Sequence, residues 1–180
     1  MDALYCLKNR RSIRKFKEEQ IKDEELKQVL EAGTYAPTAM GLQSPLIVAV
    51  QNKEDVSRIN ELSSEVMNRG GFKRSGLPYY GAPTIILIFE TKRAMNELLG
   101  ILDASSVTTN MLNAAYALGL GSVWINRTKE IFENEEGKKL LKKWGITEEV
   151  VGVASIALGY KDCDEPSPKP RREDYYKIVK

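Results

Sequence analysis

Residues 10–16, RRSIRKF, put four cations, Arg10, Arg11, Arg14 and Lys15, into seven positions. A second basic cluster, Lys169, Arg171 and Arg172, stands near the other end of the chain. Guanidinium forks match phosphate oxygens in two-point geometry and lysine adds a point charge, so clusters that met in space would form one anion site. Three readings compete for such a run: a grip on nucleic acid, a solvated helix end, or a phosphate clamp. With 27 basic and 25 acidic residues the formal net charge is +2, which provides no global field toward nucleic acid or anionic lipid. Single strands also need stacking platforms, and the nearest aromatics are the isolated Phe16, Tyr175 and Tyr176.

Other chemistries are excluded by what is missing. The sequence has no histidine and only two cysteines, Cys6 and Cys163, which removes Cys/His zinc sites, histidine triads and CxxC redox pairs. Both cysteines read as small inert side chains. Neither GxGxxG nor GxxxxGK[ST] occurs. The tempting ALGLGSVW, from Ala117, places its glycines after a helix and before a strand, the reverse of a dinucleotide turn. No apolar stretch approaches the ~20 residues of a membrane span, so no membrane partner is expected. The start, MDALYCLKNRR, has an acidic second residue and no apolar core ending in a cleavage site, so a cytoplasmic location is expected.

The elements that must position these residues can be read from periodicity. Residues 2–8 read as a short helix, and residues 22–36 as a second one, with Leu26, Val29 and Leu30 on one face and Asp23, Glu24 and Glu25 at its positive N-terminal end. Residues 37–45, PTAMGLQSP, read as a loop, followed by the strand LIVAV over 46–50 and a helix carrying Val56, Ile59, Leu62 and Val66. Residues 68–83, NRGGFKRSGLPYYGAP, read as a binding loop or lid, or equally as a loose connection. TIILIF over 84–89 is a buried strand by its β-branched content. Residues 102–118 form the central helix, 122–126 (SVWIN) a strand, 134–144 a charged helix, and 150–160 the last strand. Residues 162–180 are too rich in proline and charge to pack internally and form an extended arm. This order lacks the regular alternation of a doubly wound sheet. It predicts an α+β fold, a single domain over 1–180 with helices packed around a small mixed or antiparallel sheet.

Four segments in this order, RRSIRKF, APTAMGLQSP, NAAYALGLGSVWIN and PKPRRE, resemble the nitroreductase family of FMN-dependent oxidoreductases across almost the whole chain. The resemblance implies a homodimer with FMN at the subunit interface and a C-terminal arm exchanged with the partner. It places Arg10, Arg11 and Ser12 at the phosphate, ribityl chain or pyrimidine edge, and Arg14 near flavin N1 and the C2 carbonyl, where reduction puts negative charge that a guanidinium stabilises. Lys169 and Arg171 match the pair that closes on the phosphate. Pro37, Thr38, Ala39 and Gln43 match the loop that reaches the flavin from the partner. Trp124, Ile125 and Asn126 match the segment along the ring near N5, where a backbone N–H can donate. Many relatives carry Asn where this chain has Gly41.

The activity implied is hydride transfer from NADH or NADPH through flavin N5 to a small acceptor such as a nitroaromatic or quinone, with no catalytic side chain required. Alternatives that keep FMN are reductive dehalogenation, enone reduction and flavin breakdown. A non-catalytic module binding phosphate or RNA is a third reading, and it predicts colourless protein.

Overall fold

A computed structural model of the chain describes residues 2–71 and 75–180. The lid expected over 68–83 lies partly outside the described residues, at 72–74. Four strands form one sheet in the order β1-β2-β4-β3: β1 (Leu46–Val50), β2 (Thr84–Thr91), β3 (Gly121–Ile125) and β4 (Val150–Gly159). Every neighbouring pair is antiparallel, so of the two sheet types expected the antiparallel one is found.

The central strands are apolar without alternation because both faces of the sheet are covered. On one face Ile85, Leu87 and Phe89 pack with Ile59, Leu62 and Val66 of α3 (Lys53–Arg69), with Ile131 and Phe132 of α5 (Thr128–Glu133), and with Leu140 and Leu141 of α6 (Glu135–Lys143). On the other, Ile86, Ile88, Ile156 and Leu158 meet Val29 of α2 (Asp23–Thr34) and Ala104, Val107, Met111 and Ala115 of α4 (Glu97–Ala117). The short α1 (Ala3–Asn9) lies against α4. Gly119, at φ 79°, ends the α4 run in the left-handed conformation that glycine adopts without strain.

Three features differ in substance from the periodic reading. α4 starts at Glu97, earlier than expected, because the Asn96 side chain caps Leu99 N–H at 3.0 Å, and its first turns expose Leu98 and Leu102, which blurs the amphipathic pattern. α5 was not expected: six residues are too few to show a period, and it begins after a reversal at Arg127, φ 79°. Leu77–Pro83 is no loose connection, since Tyr79 is fully buried and its N–H donates to Asn60 Oδ1 at 3.1 Å. Cys6 is buried, Cys163 exposed, and both are free thiols. Residues 162–180 are exposed and form no helix or strand.

α3 and α6 are joined by a buried carboxylate. Asp55 Oδ1 accepts from Lys143 Nζ at 2.6 Å and Oδ2 from Trp144 Nε1 at 2.9 Å. Burial pushes this carboxyl up, but the two hydrogen bonds and the Lys143 charge outweigh it and hold the group below the ordinary Asp range. A depressed folded pKa contributes stability that is complete above the unfolded value, about 3.9, and is lost as pH falls through the folded one. Urea midpoints of the native chain should therefore fall below about pH 4 more steeply than those of Asp55→Asn, which starts lower at pH 7. Parallel midpoint–pH curves would show that this carboxylate carries no stability.

Candidate functional site

The RRSIRKF run is docked along the free edge of β3. Ser12 makes a parallel bridge with Ser122, and Ile13 N–H donates to the Ser122 carbonyl at 3.0 Å. Gly121 makes this approach possible, because a Cβ there would come within 2.9 Å of Ile13 Cγ2. Further on, Phe16 bridges Lys161, Lys17 N–H donates to Tyr160 O at 3.0 Å, and Lys15 pairs with Asp162 at 2.8 Å. Ile13 and Phe16 are buried, so the apolar members of the run point into the core and the cations point out. Lys15 is thereby occupied by Asp162 and separated in role from its neighbours.

The arginines differ in how they are held. Arg11 Nη1 donates to the carbonyls of Lys8 at 2.9 Å and Arg10 at 2.8 Å. The exposed Arg14 donates from Nε to Tyr80 Oη at 3.2 Å and from Nη1 to Ser12 O at 3.4 Å, with its guanidinium 6.0 Å from the Tyr80 ring centroid. Arg10 is half-buried, and its side chain makes no hydrogen bond or ion pair among the described residues. Burial, and then the neighbouring Arg11 charge, lower its pKa. A guanidinium stays charged in proteins, so these costs fall on the folded state until an anion arrives.

The end of β3 lies beside this run. Ile13 bonds the Ser122 carbonyl from the free edge, so by strand alternation the N–H groups of Trp124 and Asn126 also point to that edge, while the polar backbone groups of Val123 and Ile125 face β4. The Trp124 indole packs toward the α2/α4 side and donates to Asn126 Oδ1 at 2.8 Å. Trp124, Ile125, Asn126 and Arg127 line a cavity of about 250 Å³ together with Ser63, Met67, Pro78 and Tyr80. Through Tyr80 this cavity adjoins Arg14.

The loop over 37–43 is held at a different place. Asp103, buried on α4, accepts from Ala39 N–H at 2.9 Å and from Ser44 Oγ at 2.8 Å, and Thr38 Oγ1 accepts from Gln43 N–H at 3.0 Å. Met40, Gly41 and Gln43 have φ of 54°, 67° and 50°. Gly41 therefore occupies a left-handed position, which glycine adopts without strain. Pro37 and Gln43 are exposed.

One chain thus brings together Arg10, Arg11, Ser12, Arg14, Trp124, Ile125 and Asn126. It does not bring Pro37, Thr38, Ala39 or Gln43 to them, nor Lys169 and Arg171, which are exposed on the arm and make no hydrogen bond or ion pair among the described residues. Two positions were missed in the sequence. Asp103 stands as a single acid in the otherwise apolar and small stretch ILDASS, and a charge on a buried helical face was its signal. Tyr80 lay within the segment 68–83 read as a binding loop or lid, but nothing in PYYGAP singled it out, because its role depends on meeting Arg14. Replacing Asp103 by Ala strands the Ala39 N–H and the Ser44 hydroxyl, at a cost of about 1–3 kcal/mol. Chemical denaturation should show that loss, and limited proteolysis should show faster cleavage within 37–43; unchanged cleavage would mean that Asp103 does not hold the loop.

The nitroreductase family model matches residues 7–160. A protein of Archaeoglobus fulgidus assigned the name NADH dehydrogenase/NAD(P)H nitroreductase is 30% identical over 174 residues, spanning 94% of this chain and 89% of its own. A nitroreductase from Bacteroides fragilis, solved with bound FMN, superposes with a TM-score of 0.88 at 27% identity over 100% of both chains. An FMN-dependent nitroreductase from Clostridium difficile R20291 gives a TM-score of 0.82 at 26% identity, covering 99% of this chain and 98% of that one.

Proposed function

This chain belongs to the nitroreductase family, and from that premise we propose that it is an FMN-dependent oxidoreductase, working in the cytoplasm, that passes hydride from NADH or NADPH to a small electron acceptor such as a nitroaromatic or quinone. The observation that carries the reading is Arg10, a half-buried guanidinium beside Arg11 with no carboxylate among the described residues to neutralise it. A cofactor phosphate supplies the missing charge, and both superposed structures are of FMN proteins. FMN held there would supply the hydride-accepting and electron-returning centre, so the chain needs no nucleophile and no histidine.

The residues then divide the work. Arg10, Arg11 and Ser12 would hold the phosphate end, and Arg14 would stabilise the negative charge that reduction puts on the pyrimidine edge. The free edge of β3 at Trp124, Ile125 and Asn126 meets the ring with backbone groups. Lys169 and Arg171 complete the phosphate clamp when the arm over 162–180 is ordered by a partner subunit. Pro37, Thr38, Ala39 and Gln43 of the partner subunit cover the ring.

A homodimer has support in the surface of the chain. Leu4 and Leu7 on α1, Leu98 and Leu102 on α4, and Met40 and Leu42 on the Asp103-anchored loop are all exposed. Apolar side chains of one helix pair and its adjoining loop make a face that a second copy would bury. Leu102→Glu should yield a monomer in sedimentation that no longer retains FMN on desalting; a dimer that keeps its FMN would place the interface elsewhere.

The first test is the visible spectrum of protein incubated with FMN and desalted, repeated after anaerobic NADH and, separately, NADPH. A flavin band that bleaches establishes the reductase and identifies the donor. Colourless protein would remove the flavin reading in favour of a phosphate-binding module. Arg10→Gln should weaken FMN by about 2 kcal/mol, roughly 30-fold in Kd, the worth of one hydrogen bond to a charged group. Lys15→Gln, which loses only the Asp162 pair, should leave Kd close to native.

A further inference from the structure

Beneath the end of β3 lies a closed group of hydroxyls that phosphate binding does not use. Ser155, on β4 and fully buried, is the register partner of Ile125. Its Oγ donates to the Ile125 carbonyl at 3.2 Å, accepts from Thr128 Oγ1 at 3.2 Å, and lies 2.9 Å from Tyr79 Oη. Thr128 and Tyr79 are also fully buried. A hydroxyl has one proton and two lone pairs. With its proton on Ile125 and one lone pair taken by Thr128, Ser155 has one acceptor position left, which the Tyr79 O–H fills as donor. Burial pushes the Tyr79 phenol up to about 12, so it remains a neutral donor throughout the physiological range.

The consequence reaches the site through one peptide unit. In a trans peptide the C=O of one residue and the N–H of the next point in opposite directions. Drawing the Ile125 carbonyl toward β4 therefore aims the Asn126 N–H out of the free edge of β3, on the side where Arg14 stands. The ladder to β4 ends at this point, with Ile125 opposite Ser155 as its last register pair, and Arg127 takes up φ 79° two residues later, so the Ser155 hydroxyl is a second hold on the carbonyl where strand pairing stops.

We infer that Ser155, with Thr128 and Tyr79 behind it, is a positioning residue that holds the Ile125–Asn126 peptide so that its N–H is presented to the flavin ring. This rests on the FMN reading above. None of the three touches the cofactor. Their action is on the orientation of one donor, so it should appear in the electronic properties of bound FMN rather than in its retention, which belongs to the arginines.

The test uses the FMN-loaded protein and compares Ser155→Ala, Tyr79→Phe, Thr128→Val and Thr128→Ser with Ile59→Val. Ile59 is a fully buried aliphatic of the same core layer, distant in chemistry from the hydroxyls, and serves as a control for lost packing. Ser155→Ala should keep FMN Kd within about threefold of native while the two-electron midpoint potential moves by roughly 30 mV or more, equivalent to a tenfold change in the ratio of oxidised to reduced FMN affinity. Thr128→Val should shift the potential in the same direction and Thr128→Ser should restore it, which keeps the question answerable if Ser155→Ala does not fold. Ile59→Val should lower Tm with the potential unmoved. If the hydroxyl variants lower Tm while the potential and visible band match native, the group is structural only and the inference fails. If the native protein takes up no FMN, the functional reading itself fails, and the two outcomes are distinguishable.

Discussion

A single backbone hydrogen bond, from Ile13 N–H to the Ser122 carbonyl, sets where the rest of the site can be. It fixes the run over 10–16 against an edge strand in one register, and a slip by one residue would exchange Ile13 with a cation. The register is enforced by burial. Ile13 and Phe16 each contribute about 1.5–3 kcal/mol when taken out of water, which offsets the cost of holding Arg10 half-buried without a counter-charge. Gly121 is part of the same constraint, because any larger residue would lift the run off the strand. The cationic cluster is therefore placed by its two apolar members.

That docking occupies only the first part of the β3 edge. Beyond Ser122 the backbone of Trp124 and Asn126 has no strand beside it among the described residues, and Tyr80 and Arg14 stand across from it. An unpaired edge is ordinarily a liability for aggregation. Here it is short, flanked by cations, and adjoins a cavity, which fits the proposal that a flat polar cofactor lies against it. The loop on Asp103 and the arm with Lys169 and Arg171 are held away from it within one chain, so the chain by itself carries about half of the contacts proposed for the cofactor.

What could be read in advance depended on whether a signal was local. The strand LIVAV was legible to the residue and TIILIF to within its last two, because a short apolar run rich in β-branched residues and bounded by turn residues has few other uses. The cations of RRSIRKF were legible as a cluster, but not that Lys15 would be taken up by Asp162, a residue nearly the whole chain away. α5 was hidden by its length and by the left-handed Arg127 before it. Ser155 was hidden most completely. In VASIALG a serine looks like a small filler between apolar neighbours, and its three partners come from the loop before β2, the end of β3 and the start of α5.

The choice of hydroxyls under that peptide has a physical logic. A carboxylate or lysine could also fix a carbonyl or an N–H, but a buried charge would change its protonation with conditions and would add its own field to that of Arg14. Neutral hydroxyls that satisfy one another fix direction without charge. Because the phenol of Tyr79 stays protonated, its O–H has one acceptor to go to, and the order of donors through Ser155 to Ile125 does not reverse with pH. Charge at the site then comes from Arg10, Arg11 and Arg14, and geometry from the backbone edge. In the reading proposed above, separating the two lets the cations set how tightly an anionic cofactor is held while the hydroxyls set how its ring is met.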